Sequence, residues 1–106
     1  ASANSVKTVI GTVDLGTNVN TNIGAELPAG ATVLSVRVNV TATNADSEVA
    51  IGSFMTVAEN DPSVAGLYIA EVFSTNGSAV QVVATVTGAT VAGGSADVIV
   101  EYRVPA

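Results

Sequence analysis

The residues of this chain with the strongest potential for chemistry are two closely spaced pairs of carboxylates, Asp46 with Glu48 and Glu59 with Asp61. Two carboxylates placed across a cleft are the usual machinery of glycoside hydrolysis. Carboxylate oxygens also bind Ca²⁺, so Asp46, Glu48 or Asp61 could contribute to a calcium site. Because the sequence contains no histidine and no cysteine, acid–base catalysis would depend on carboxylates, lysine or tyrosine.

None of these carboxylates has the spacing of a recognised site. The EF-hand pattern is absent, and acids that are close together in loops are usually just solvated. Without histidine and cysteine, the Ser-His-Asp and Cys-His catalytic arrangements are impossible, and so are metal sites built from thiolates. Gly93-Gly94 lacks the glycine pattern of a phosphate-binding loop and is typical of a hairpin turn. We therefore expect no enzymatic activity, no cofactor and no bound metal.

The charge of the chain argues against two classes of partner. A formal net charge of −6 results from nine acidic residues against Lys7, Arg37 and Arg103. Nucleic-acid binding requires clustered lysine and arginine, which the sequence lacks. Adsorption to an anionic membrane is disfavoured for the same reason, and no apolar run approaches the roughly 18 residues of a membrane span. The sequence predicts no nucleic-acid partner and no membrane partner.

The clearest structural signal is the period-two alternation of side chains in Thr32–Thr43. Such alternation is typical of a β-strand with one face in a core and the other near water. The residues predicted to face the core are Leu34, Val36, Val38, Val40 and Ala42. The opposite side would carry Val33, Ser35, Arg37, Asn39 and Thr41.

Six further stretches are expected to form strands, separated by turns rich in glycine, proline and asparagine. They are Ser5–Val13, Val19–Ile23, Glu48–Ser53, Gly66–Phe73, Ala79–Thr87 and Ala96–Val104. The stretch Phe54–Gly66 has no period of two and is expected to form a long connection, with one helical turn from Asp61-Pro62. The 20 valines and 12 threonines favour pleated structure over helices.

These elements predict an all-β fold: a single antiparallel β-sandwich of about seven strands, of the jelly-roll or immunoglobulin-like type. Crossover helices, which parallel βαβ winding requires, are missing. We expect residues 1–106 to form one domain, with residues 1–4 as a short N-terminal tail.

More apolar side chains are present than one sandwich core accommodates. Apolar neighbours such as Val98-Ile99-Val100 place apolar groups on both sides of a strand, and the stretch after Ser53 adds others. Exposed apolar patches tend to mark contacts between proteins. The candidate subunit-contact residues are Phe54, Met55, Val57 and Ile99. Phe54 and Met55 either plug one end of the sandwich or meet a neighbouring subunit.

Three segments carry a resemblance to a known family: IGAELPAGATVLSVRVNVT, SEVAIG and GATVAGGSADVIVEYRVPA. An LPAGA turn leads into the long alternating strand, a DP dipeptide lies in mid-chain, and the closing strand reads V-x-V-x-Y. From about Val19 to Ala106 the chain resembles small β-sandwich structural proteins of tailed bacteriophages, which decorate heads or form modules of fibres and tails. The stretch Ser53–Gly66 departs from that pattern, because it is more apolar.

The resemblance implies a virion structural protein, specifically a capsid decoration or cement subunit on the outer surface of the capsid. The surplus of apolar residues predicts a homo-oligomer, and the resemblance favours a trimer that contacts the major capsid protein or another virion protein. Two alternatives stay open: a receptor- or glycan-binding module of a fibre or surface protein, and a non-viral cell-surface or pilus-like sandwich. Glycan binding would require exposed aromatic side chains, for which the candidates are Phe54, Tyr68, Phe73 and Tyr102.

Overall fold

A computed structural model describes residues 4–57 and 65–105 of the chain. These residues form eight β-strands and no helix. The strands are β1 (Asn4–Asp14), β2 (Asn20–Asn22), β3 (Thr32–Ala42), β4 (Glu48–Ile51), β5 (Met55–Val57), β6 (Gly66–Thr75), β7 (Val83–Thr87) and β8 (Ser95–Pro105). Within the described ranges, therefore, nothing helical is long and apolar enough to cross a membrane.

The strands form two four-stranded sheets, a first sheet in the order β1-β8-β3-β6 and a second sheet in the order β2-β7-β4-β5. Every strand pair is antiparallel. Strands pair as first with last, second with seventh, third with sixth and fourth with fifth, as in one long hairpin rolled up on itself. This is the jelly-roll topology, in which two Greek keys form a double sheet. The predicted all-β antiparallel sandwich is confirmed.

The core lies between the two sheets and is built mainly from valine. Val36, Val38 and Val40 on β3 are buried, as are Val98 and Val100 opposite them on β8. The second sheet contributes Val49, Ile51, Ala84 and Val86 to the same cluster, and Val82, which precedes β7, belongs to it as well. Branched, compact side chains suit this pleated interior, because they lose little rotamer freedom on burial in a strand.

The alternation predicted for β3 changes side near its start. The register of β3 against both neighbours shifts between Val33 and Ser35. This β-bulge adds one residue and reverses the facing before it. Val33 is consequently buried and Leu34 only half-buried, contrary to the prediction, and Ala42 at the far end is exposed. The core facing of Val36, Val38 and Val40 is as predicted.

The stretch after Ser53, which we expected to lack a strand, contains β5. Met55–Val57 pairs with β4 and closes a short hairpin, in which the Phe54 amide donates to the Ile51 carbonyl at 3.0 Å. Three residues are too few to show a period of two, which is why the sequence indicated seven strands. The helical turn predicted from Asp61-Pro62 lies outside the described residues.

Candidate functional site

Of the four carboxylates that the sequence singled out for chemistry, Asp46 has a structural role. The Asp46 carboxylate accepts hydrogen bonds from the backbone amide and the hydroxyl of Thr90. Glu48 is half-buried on β4, and Glu59 and Asp61 lie outside the described residues. Within residues 4–57 and 65–105 no three acidic, histidine or cysteine side chains come together as a metal site, and no pocket is formed.

A buried asparagine joins two loops at the same end of the sandwich. Asn44 Nδ2 donates to the carbonyls of Val91 at 3.0 Å and Gly93 at 2.8 Å. Asn44 Oδ1 accepts from the backbone amides of Asp46 and Ser47, both at 3.2 Å. All four side-chain hydrogen-bonding positions of Asn44 are thereby used. These hydrogen bonds hold the two loops together, and the described residues at this end of the molecule form no open ligand site.

The feature that stands out is the outer face of the first sheet, the side turned away from the core. The strand registers place four of its side chains in one line across the sheet: Ile10 opposite Ile99, Ile99 opposite Arg37, and Arg37 opposite Ile69. We call this line the isoleucine row. Ile10 is 62% exposed and Ile69 is 54% exposed. Ile99 between them is half-buried. The three isoleucines form an apolar stripe that no described residue covers.

The next line along the strands, two residues away, is acidic. It places Thr8 opposite Glu101, Glu101 opposite Ser35, and Ser35 opposite Glu71. We call this line the glutamate row. The Ser35 hydroxyl at its centre is buried without a hydrogen-bond partner among the described residues. A polar group in that condition is destabilising unless a partner is supplied.

Both arginines of the chain, Arg37 and Arg103, lie on this same face. Neither guanidinium forms an ion pair with any residue that the structure describes. Leu67 on β6 lies opposite Asn39 on β3 and extends the apolar stripe; it is 53% exposed. The outer face of the first sheet therefore combines apolar, basic and acidic groups in adjacent lines.

The outer face of the second sheet has a different character. The line across its four strands consists of Asn20, Thr85, Ala50 and Thr56. These side chains are small or polar, as on an ordinary hydrated surface. Glu48, opposite Thr87, is the charged residue of that face within the described strands. The two outer faces of the sandwich are thus chemically distinct, and among the described strands only those of the first sheet present an apolar stripe.

The four candidate contact residues are divided between the two sheets. Ile99 lies in the centre of the isoleucine row. Val57 on β5 is 1% exposed and belongs to the core, while Phe54 and Met55 are half-buried and pack against that core. The first sheet thus gathers Ile99 with Ile10, Ile69 and Arg37, which we did not single out as contacts. Ile69 was missed because the facing of its strand is ambiguous in the sequence.

That ambiguity has a physical cause in β6, whose outer face carries apolar side chains beside an acidic one and whose end contains a bulge. Between Glu71 and Ser74 the strand contains one more residue than its partner β3. Phe73 in this bulge has φ +48°, a left-handed conformation that bulky residues rarely adopt. Its side chain is 68% exposed at the sheet edge. Tyr68 and Tyr102 instead pack against the core, so the described residues contain no platform of exposed aromatics.

No protein-family model matches this chain, and no curated protein matches it. Solved structures share its fold. A chain in the acidic stable capsid structure of Helicobacter pylori bacteriophage KHP30 superposes with a TM-score of 0.82 at 22% identity, covering 95% of this chain and 89% of that chain. A chain of the cyanophage Pam1 capsid asymmetric unit has a TM-score of 0.67 at 21% identity, covering 99% of this chain and 89% of that one.

A third solved structure, which is not described as a capsid, also shares the fold. The crystal structure of FLHE superposes with a TM-score of 0.51 at 18% identity, covering 95% of this chain and 98% of that chain. At identities this low, a likeness establishes a common fold and not a common activity. The chain therefore has the same β-sandwich fold as chains found in two phage capsid structures.

Proposed function

We propose that this chain is a virion structural protein, a capsid decoration or cement subunit that stabilises a phage head. The observation that carries the proposal is the likeness to the KHP30 capsid chain, which extends over 95% of this chain at a TM-score of 0.82. The likeness to a chain of the Pam1 capsid supports it independently. Eight-stranded jelly rolls recur in capsid and lectin domains, so the fold suits this role.

The surface chemistry supports a role in assembly. The described residues offer no metal cluster and no pocket, whereas the first sheet presents an uncovered apolar stripe. Exposed apolar surface of this kind typically mediates protein contacts. In the proposed role the subunit sits on the outer surface of the capsid, contacts the major capsid protein or another virion protein, and self-associates. The surplus apolar surface favours a homo-oligomer, and the phage resemblance favours a trimer. Phe54 and Met55 are proposed as contacts in addition to Ile99.

The test is add-back to capsids of the encoding phage that have been assembled without this chain. We expect the purified chain to bind them at a fixed ratio to the major capsid protein and to raise the temperature at which they release DNA. Capsids that already carry the chain have no vacant positions and serve as the control. Absence of binding, or binding with no change in that temperature, would contradict a decoration role.

The glycan-binding alternative gains no support from the described surface. Phe73 is the one aromatic side chain within the described residues that is largely exposed. Stacking sites for sugar rings depend on exposed aromatic faces, and the half-buried Phe54, Tyr68 and Tyr102 pack against the core.

A further inference from the structure

We propose that the outer face of the first sheet is the surface through which copies of this chain bind one another, around a rotation axis parallel to the strands. The inference rests on the self-association part of the proposed function and is independent of the capsid. It assigns the contact to the isoleucine row and the glutamate row.

The first argument is geometric. Rotation about an axis parallel to the strands leaves the position of each residue along that direction unchanged. The isoleucine row of one copy therefore meets the isoleucine row of the next, in a dimer as in a trimer. The β1 and β8 side of one sheet then faces the β3 and β6 side of its neighbour, which brings Ile10 toward Ile69 of the next copy. Closed symmetry buries the same stripe on every copy.

The second argument is charge complementarity. In this arrangement Arg37 faces Ile99 of the next copy, and Glu101 of that copy lies one row away, about 7 Å along the strand. An arginine side chain spans such a distance and forms directed hydrogen bonds with a carboxylate. Arg37 has no ion pair within its own chain in the described residues, so it is available for this contact. Each copy contributes both the arginine and the glutamate, which makes the face complementary to itself.

The third argument is area. Four strands about 4.8 Å apart, with eleven residues rising about 3.4 Å each, form a face of roughly 19 by 37 Å, or about 700 Å². The strand lengths are 11 residues for β1, β3 and β8. Standard stable interfaces bury about 600–1,000 Å² on each partner. The outer face of the first sheet is thus large enough for a stable contact without another surface.

The experiment compares two matched substitutions in the full-length chain by sedimentation equilibrium across micromolar concentrations. Ile69 on β6 and Thr56 on β5 are both exposed, β-branched and on an edge strand, each on the outer face of its own sheet. We expect the wild type and Thr56→Glu to sediment as the same multiple of 10.4 kDa. Ile69→Glu should weaken association at least about tenfold, because it places a charge within an apolar contact.

A charge reversal tests the pairing itself. Arg37→Glu should weaken association by a similar factor, because it sets a carboxylate against Glu101 of the next copy. The double variant Arg37→Glu with Glu101→Arg should restore it. Thermal melting of each variant at a concentration below dissociation separates loss of contact from loss of fold. Restoration of assembly at unchanged monomer melting temperature is the result that supports the pairing.

The outcomes that overturn this inference differ from those that overturn the proposed function. A wild-type chain that stays at 10.4 kDa throughout, or an Ile69→Glu variant that assembles as tightly as wild type, removes the self-contact face. Either result leaves a decoration role intact if the chain still binds vacant capsids. Conversely, if the chain assembles as described but does not bind vacant capsids, the contact face is supported and the capsid role is contradicted.

Discussion

Arg37 on β3 lies directly opposite Ile99 on β8, so that a basic side chain interrupts a line of isoleucines on an exposed sheet surface. Within one copy this arrangement has no evident benefit, because no described residue pairs with the guanidinium. Between copies it supplies a directed polar contact inside an apolar one, which is a common way to fix the register of an interface. The relationship thus connects the sheet topology with the proposed assembly.

The facing of β3 predicts opposite outcomes for two adjacent residues. Val38 is fully buried between the sheets, so Val38→Asp places an unpaired carboxylate in the core. A cost of at least about 3 kcal/mol is expected, a large part of the stability of a domain of this size. Asn39→Asp, on the outer face, should cost less than about 1 kcal/mol, because the new carboxylate is repelled only by Asp97 opposite it. Chemical denaturation measures both, and equal losses would show that the assignment of faces is wrong.

Much of this architecture is present in the sequence, because local alternation reports which strand face is buried. The facing of Val36, Val38 and Val40 follows from alternation alone. The bulges do not, because one additional residue at Leu34 or Phe73 depends on how strands from distant parts of the chain pair. For the same reason the sequence left jelly-roll and immunoglobulin-like topologies open.

The candidate site was predicted in part for a related reason. Ile99 was recognised because apolar residues flank it on both sides. Its neighbours across the sheet, Ile10 and Ile69, are about 90 and 30 residues away along the chain, and only the register brings them beside it. A sequence pattern identifies surplus apolar residues one strand at a time and cannot show that they form a single line.

The contacts of Asn44 predict that this residue holds two loops together at one end of the sandwich and so stabilises the fold. Asn44→Ala removes four hydrogen bonds and leaves partly buried carbonyl and amide groups without their side-chain partner. We expect a loss of about 2–4 kcal/mol in the free energy of unfolding. Asn18 also bonds to the same loop, through Ala89, but it is exposed, so Asn18→Ala should cost less than about 1 kcal/mol. Denaturant melts of the two variants with similar midpoints would contradict this assignment.

The left-handed conformation of Phe73 predicts that its replacement by glycine stabilises the protein. A left-handed conformation costs a residue with a side chain about 1–2 kcal/mol, whereas glycine adopts it freely. Phe73→Gly should therefore stabilise the monomer by about 0.5 kcal/mol, after allowing for the greater freedom of glycine in the unfolded chain. Ile69→Gly, on the same strand but at a regular position, should destabilise it by about 1 kcal/mol. Thermal melting gives both signs, and a loss of stability at both positions would argue against strain at Phe73.

The close packing of loops at the Asn44 end of the sandwich predicts that Gly16→Ala is strongly destabilising. A Cβ atom there would lie 2.3 Å from the backbone nitrogen of Gly93. Because that neighbour is backbone, the clash can only be relieved by separating the loops, and Gly16→Ala should cost about 1–3 kcal/mol. Gly77 has nothing within 4 Å of the same position, so Gly77→Ala should shift the unfolding free energy by no more than about 1 kcal/mol. Comparable destabilisation by both would refute the close approach.

The central claim is that this chain is a repeated structural component of a virion, and the most direct measurement is its copy number in purified particles. Virions of the encoding phage, purified by density gradient, would be quantified by mass spectrometry against labelled peptides of this chain and of the major capsid protein. The proposed decoration role predicts a simple fixed ratio between the two chains in every particle fraction. Absence of the chain from intact virions would contradict a virion role, and a few copies per particle would contradict decoration of the capsid surface.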